Sequence, residues 1–286
     1  MNSKIDFTSN DIIHLKENTI EFLQFKKLNE FSNKIKHLIT LRHGGVSDFP
    51  VDTLNFRLAG NDKKENVFQN LKLVTDIMNI SKEQVFKGKQ AHTDNILIIN
   101  NSNKNNYKFE DISQNEFDGY ICNQRGIATL VTTADCNPII IYDYKKNIYA
   151  NIHSGWKGTI KQIYLKAVHI MHEKFNINYS DLMVCVGPSI KKCCFSSEDE
   201  SFKKQFTDIW KDDDKYIYYE DNSKRFHIDL SYVIKKDFLN IGIKEDNIII
   251  PDICTKCNSN SFFSYREARQ KGYKDYGTMA TIVYLL

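Results

Sequence analysis

Between residues 138 and 175 the sequence runs through two short β-branched or aromatic stretches and then a long helical pattern. Pro138 to Tyr142 and Ile148 to Ile152 read as strands joined by the polar turn Asp143 to Asn147, which predicts a hairpin. From Thr159 onward Ile160, Ile163, Tyr164, Ala167, Val168, Met171 and Phe175 recur at spacings of three and four, giving one broad apolar stripe on a single helix. A stripe that follows a hairpin so closely must be buried against a sheet, which confines the chain to folds with helices packed on strands.

The flanking sequence extends this pattern. Asp11 to Lys27 reads as a helix or helix-strand mixture, and Ile35 to Leu41 as a strand entering a Gly44-Gly45 turn. Val67, Leu71, Val74, Ile77 and Met78 mark an amphipathic helix over Glu65 to Ile80. Asn95 to Ile99, Ile127 to Thr133, Leu182 to Val186, Ile248 to Ile250 and Ala280 to Leu286 read as strands, and Glu198 to Lys211 and Leu230 to Asn240 as helices. No repeat or Pro-rich linker divides the chain, and the polar run Asp212 to Lys224 reads as a surface excursion. The expectation is an α+β fold: one domain over residues 1–286, a mixed β-sheet core flanked by helices in α/β/β/α-like layers.

Composition narrows the function. Lys and Arg total 39 against 36 Asp and Glu, so net charge argues for neither a nucleic-acid partner nor a membrane surface. Met1 to Asp6 holds no apolar signal core, and no stretch reaches the roughly 20 apolar residues a bilayer span needs, which predicts a cytoplasmic protein. The 7 cysteines, odd in number, fit a reducing compartment with free thiols. A monomer is expected, since no exposed apolar helix stands out.

Those thiols bear on chemistry. The hairpin midpoint near residue 145 places Cys136 and His153 opposite one another at its open end. Such a pair can be a nucleophile and its base, or two ligands of a soft metal. His92, just ahead of another strand, would supply a third ligand at the same edge, leaving the open fourth position of catalytic zinc. The alternative is two ordinary loop histidines and a buried small thiol. Arg42, the Gly44-Gly45 backbone and Lys157 suit an anion such as phosphate, and His43 in the same loop could hydrogen-bond substrate. Asp135 is a candidate general base, or a partner of a ligating histidine. Cys254 and Cys257 have zinc-knuckle spacing, and Cys193 with Cys194 could complete a four-thiolate site; without a second CxxC, packed and reduced thiols are the expectation.

Read together, Leu41-Arg42-His43-Gly44-Gly45-Val46-Ser47, Gln90-Ala91-His92-Thr93-Asp94, Thr133-Ala134-Asp135-Cys136-Asn137-Pro138, His153-Ser154-Gly155-Trp156-Lys157-Gly158 and Gly187-Pro188-Ser189-Ile190 resemble the polyphenol oxidase or laccase-domain family. Cys193-Cys194-Phe195, Cys254-Thr255-Lys256-Cys257 and Phe262-Phe263-Ser264-Tyr265-Arg266 follow in the same order, so the resemblance runs from about Ile35 to the end. It implies purine nucleoside phosphorylase, methylthioadenosine phosphorylase and adenosine deaminase activities, with some bacterial members described as peptidoglycan editing factors. It also implies zinc on His92, Cys136 and His153, and adds Gln90 to Arg42, His43 and Lys157 as substrate-binding residues, with purine nucleoside and phosphate as ligands. Ala91, Ser154, Lys157 and the segment Glu267 to Tyr276 depart from the family pattern, which bears on substrate preference.

In the phosphorylase reaction that follows from the resemblance, phosphate held near Arg42 attacks C1′; in the deaminase, water attacks C6 while Asp135 or His43 moves protons. The hairpin equally allows a cysteine hydrolase with Cys136 as nucleophile and His153 as base. A non-catalytic, metal-dependent protein that binds a nucleotide or cell-wall precursor is the third reading. Copper-dependent phenol oxidation is disfavoured, because multinuclear copper sites need more histidines than one His-Cys-His cluster offers.

Overall fold

The computed structural model describes residues 6–103, 109, 116–211 and 213–286. Two six-stranded sheets stack face to face. The first runs in the order β1 (Ile12–Glu17), β2 (Ile20–Phe25), β3 (Ile35–Thr40), β15 (Met279–Leu285), β7 (Ala128–Thr133) and β4 (Val85–Phe86). The second runs β14 (Ile248–Ile249), β10 (Leu182–Val186), β8 (Asn137–Asp143), β9 (Ile148–Ser154), β6 (Gly119–Cys122) and β5 (Ile96–Ile99). Both are mixed: β4 pairs parallel with β7, β14 with β10, and β5 with β6, the remainder being antiparallel. A smaller antiparallel sheet joins β11 (Ser196–Ser197), β13 (Arg225–Ile228) and β12 (Ile217–Glu220).

The core follows from which strand faces are apolar. Leu23, Ile39, Val131 and Val283 from the first sheet meet Ile140, Tyr142, Tyr149 and Cys185 from the second, forming the layer between them. The outer face of the first sheet is covered by α2 (Lys64–Met78) through Val67, Leu71, Val74 and Met78. That of the second is covered by α4 (Ile163–Phe175) and α6 (Leu230–Asn240) through Tyr164, Val168, Met171, Ile234 and Phe238. Strands apolar on both faces are what burial between a sheet and a helix requires. The layering is therefore the α/β/β/α arrangement expected from the sequence.

Three local readings are corrected. Residues 11–27 form the hairpin β1–β2, with Asn18 at φ 54, followed only by the short α1 (Lys26–Asn29). The stripe beginning at Thr159 belongs to two helices, α3 (Trp156–Ile160) and α4, separated by Gln162 at φ 52. The break is held where the Gln162 amide donates to Asp237 Oδ2 at 2.9 Å, a contact that periodicity does not register. In the polar run Asp212 to Lys224, Asp212 lies outside the described residues, while Tyr216 and Ile217, at the start of β12, are buried. The helix α5 (Glu200–Trp210) completes the cover of the small sheet, capped where Asp199 accepts from Ser201 N.

Candidate metal centre

Strand direction brings the site residues to one end of the second sheet. Because β9 runs antiparallel to β8 and β6, and β5 parallel to β6, the start of β8, the end of β9 and the starts of β6 and β5 share an edge. Cys136 precedes β8, His153 lies near the end of β9, Asp118 precedes β6 and His92 sits in the loop before β5. The ladder pairs His153 with Pro138 and Ser154 with Asn137, so one further step sets Gly155, not His153, across from Cys136. Cys136 and His153 are thus diagonal neighbours.

The ligand atoms of His92, Cys136 and His153 all lie within 4.8 Å of one another. Cys136 Sγ is 3.7 Å from His92 Nε2. Tetrahedral zinc with ordinary Zn–S and Zn–N bonds separates such atoms by about 3.6 Å, so this donor set fits the ion. Gly155 completes the cradle: a Cβ there would lie 2.8 Å from His92 Cδ2 and 2.9 Å from Cys136 Sγ.

Asp118 orders these ligands, and nothing in the sequence pattern singled it out. Fully buried, it accepts from the backbone N–H of Ala91 (3.2 Å), His92 (3.1 Å) and Thr93 (2.7 Å), and from Thr93 Oγ1 (2.8 Å). His153 Nδ1 lies 2.8 Å from Asp118 Oδ1, which fixes that nitrogen as the proton carrier and leaves Nε2 for the cluster. Burial opposes the Asp118 charge, but the bonds from His153 and Thr93 outweigh it and hold its pKa down at about 2. His92 itself sits at φ 58, a conformation unfavourable for a side-chain-bearing residue that the three N–H bonds to Asp118 sustain. Burial raises the Cys136 thiol, yet the His153 charge and hydrogen bonds from both histidines bring it to about 6, while Cys136 and Asp118 hold His153 up at about 9 against burial. Each group thus favours the charged form of the other, thiolate beside imidazolium.

The cluster opens into a cavity of about 840 Å³. Arg57, Lys87, Lys89, Lys157, Arg225 and Arg266 line it, with Trp156, Tyr265 and Tyr276, and Asp135 is the carboxylate among the described lining residues. Lys157 lines this cavity, apart from the Arg42 and Gly44-Gly45 loop with which the sequence grouped it. Lys87 was missed: it is buried, its hydrogen bond to Gly88 O is a long 3.4 Å, and burial lowers its pKa to about 8 despite Asp118 nearby.

Other expected residues are spent elsewhere. Arg42 does not line the cavity; its guanidinium donates to Asp52 O (3.0 Å) and Oδ1 (3.2 Å) and to Ser259 O (2.8 Å), tying two loops together. His43 Nε2 is engaged with Asn260 O, and the Gly44 and Gly45 N–H groups donate to Thr53 Oγ1 at 2.9 and 3.1 Å. Gln90 borders the cavity, but its amide is committed to Thr132, donating to its O (2.8 Å) and accepting from its N (2.7 Å). Asp135, at φ 87, accepts from Thr255 Oγ1 (2.7 Å), Ser264 Oγ (3.0 Å) and Arg266 N (2.7 Å); it braces a turn rather than a histidine, a part that Asp118 takes. Burial pushes its pKa up against those bonds.

A three-donor His-Cys-His cluster at the end of a two-sheet core, opening into a cationic cavity, defines an α+β protein with a candidate metal site. The chain belongs to the family described as multi-copper polyphenol oxidoreductase laccase, whose model matches residues 36–286. It is 28% identical over 260 residues to a purine nucleoside phosphorylase of Bacteroides thetaiotaomicron, covering 88% of this chain and 92% of that one. It is 34% identical over 214 residues to a purine nucleoside phosphorylase of Clostridium acetobutylicum, covering 74% and 81%. The fold matches the crystal structure of YlmD from Geobacillus stearothermophilus with a TM-score of 0.84 at 23% identity, over 96% of this chain and 99% of that one. These likenesses place the chain in an enzyme family with a candidate metal site. No helix among the described residues is long and apolar enough to cross a membrane.

Proposed function

We propose that this chain, acting as one domain, is a zinc-dependent purine nucleoside phosphorylase that also deaminates adenosine. The observation that carries the reading is the combination in one cavity of the His92, Cys136 and His153 donors with a wall of cations. The similarity to two bacterial purine nucleoside phosphorylases supports it. Two imidazoles and a thiolate suit zinc, whereas multinuclear copper calls for more histidines. A zinc ion bound by these residues would supply Lewis-acid charge at the site.

The chain's own groups account for the rest. Inorganic phosphate is dianionic or nearly so, and Lys87, Lys157 and Arg266 offer it positive charge at the cavity wall, where partial desolvation strengthens such attraction. Lys87, with one long bond among the described residues, has donors to spare. Trp156, Tyr265 and Tyr276 give the cavity aromatic lining against which a purine would pack. Phosphorolysis forms a bond from phosphate oxygen to C1′ as the bond from C1′ to the purine nitrogen breaks, and the departing base takes up a proton. Holding phosphate and nucleoside together in line is worth several kcal/mol of the barrier, typically about 7 or more. Deamination adds water at C6 and releases ammonia. With its oxygens committed to Thr255, Ser264 and Arg266, Asp135 acts by shaping the Cys136 turn in both reactions.

One observation favours a second reading. Asp118, His153 and Cys136 form an acid–imidazole–thiolate chain, the arrangement a cysteine hydrolase uses. The test follows inosine, adenosine and methylthioadenosine by chromatography with and without phosphate. Free base and the 1-phosphate of the corresponding sugar should form only with phosphate, and adenosine should become inosine without it. No nucleoside turnover by zinc-loaded protein, with covalent capture of Cys136 by an electrophilic substrate, would assign the hydrolase instead.

A further inference from the structure

We propose that Cys193, Cys194, Cys254 and Cys257 form a second metal site, a four-thiolate site for zinc that fixes the wall of the cavity from behind. The four Sγ atoms lie within 4.8 Å of one another. Cys257 Sγ is 3.6 Å from Cys193 Sγ and 3.4 Å from Cys194 Sγ. Sulfurs at the corners of a zinc tetrahedron sit about 3.8 Å apart, whereas a disulfide joins them at about 2.05 Å. All four are free thiols.

Packing does not explain the cluster. Cys193 and Cys257 are exposed, so the packed-thiol expectation from the sequence fails for half of the set. Backbone geometry aims the sulfurs instead. A parallel bridge between Ser189 and Cys254, with Thr255 N donating to Ser189 O at 3.1 Å, sets the two segments side by side. Each then turns back on itself: Cys194 N donates to Lys191 O at 2.9 Å and Asn258 N to Cys254 O at 3.1 Å, so each turn offers two sulfurs to a common centre. An adjacent Cys-Cys in such a turn does the work of a second CxxC. The N–H groups of Cys257 and Lys191 face Cys254 Sγ, and the buried Lys191, whose Nζ donates to Ser231 Oγ at 2.9 Å, places a cation beside Cys254 and Cys193. Both features offset the negative charge of a four-thiolate zinc complex, and the exposed sulfurs give the ion an entry path. Coordination releases the thiol protons to solvent.

The position gives this site a task. Thr255, next to Cys254, donates to the Asp135 carboxylate, and Ile190 N donates to Asp135 O at 2.8 Å, so both cysteine segments grip the residue that precedes Cys136. Phe195, next to Cys194, lines the cavity. An ion tying these turns together would hold the Cys136 turn in register without touching substrate.

The test uses the full chain purified without a metal-affinity tag, as wild type, Cys136→Ala and a Cys194→Ser/Cys257→Ser double variant. Elemental analysis should find two zinc per wild-type chain and one in each variant. Cobalt exchanged into Cys136→Ala should show the intense thiolate-to-metal absorption and tetrahedral visible bands of a four-sulfur site, and the double variant should lose them. One zinc in wild type and none in Cys136→Ala, or cobalt in that variant without thiolate absorption, would overturn the proposal. Should the double variant fail to fold, the Cys136→Ala spectrum decides alone. These readouts require no turnover, so they stand or fall separately from the nucleoside chemistry.

Discussion

Replacing Asp118 by Asn preserves its volume while removing the charge that organises the ligands. The carboxylate accepts on Oδ1 from His92 N and His153 Nδ1, and on Oδ2 from Ala91 N, Thr93 N and Thr93 Oγ1. An Asn side chain can present its oxygen to only one of these groups; its NH2 meets N–H donors on the other. At least two bonds to a charged acceptor are then lost, at about 1.5 kcal/mol each or more, so the metal-free chain should lose about 3 kcal/mol. His92 and His153 lose their orientation as well, and zinc affinity should fall about 10- to 100-fold. Urea unfolding of the metal-free protein measures the first effect and chelator competition the second. Unchanged stability together with affinity within twofold of wild type would refute the ordering role assigned to Asp118.

Four further outcomes follow from the same geometry. Lys87→Met should raise the phosphate KM about tenfold or more, the loss of one charge-assisted contact, while the nucleoside KM stays within about twofold in steady-state assays. Arg42→Ala should instead lower stability by about 2–4 kcal/mol in chemical denaturation and leave the phosphate KM unchanged, because its guanidinium ties Asp52 to Ser259 outside the cavity. Gly155→Ala, at an extended backbone of φ -74 and ψ 179 that tolerates alanine, should fold but bind zinc at least about tenfold more weakly by chelator competition. Burial lowers the His37 pKa from 6.5 to about 3, so folding favours its neutral form. The unfolded chain takes up that proton first, and stability falls as the pH drops below 6.5, by about 1.4 kcal/mol per unit from this group. His37→Gln should flatten that slope by one proton's worth in denaturation curves from pH 6.5 to about 4.5.

The sequence was most legible where one period governs a segment. The strands around the hairpin, the stripe on α4 and the α6 helix lie where periodicity put them, and turn placement alone brought Cys136 near His153. What escaped depends on contacts distant in sequence. The split between α3 and α4 rests on Gln162 meeting Asp237, and β6 is a short strand of four residues that periodicity hardly marks. Asp118 is an acid ahead of that strand, two residues after Glu116, with no motif to distinguish it from a solvated loop residue. Arg42 and the Gly44-Gly45 turn looked like an anion site because their chemistry suits one; only the fold shows that Asp52, Ser259 and Thr53 already occupy those donors. Lys87 shows the reverse: an ordinary lysine in sequence becomes a buried cation on the cavity wall.

In the proposed chemistry the His92, Cys136 and His153 cluster holds zinc that the nucleoside reactions require. The most direct test strips metal from the purified protein, then restores zinc in steps while following phosphate-dependent release of hypoxanthine from inosine, beside Cys136→Ala. Activity should disappear on stripping, return in proportion to zinc bound at this cluster, and not return in the variant. Full phosphorolysis by metal-free protein, or undiminished activity in Cys136→Ala, would contradict it.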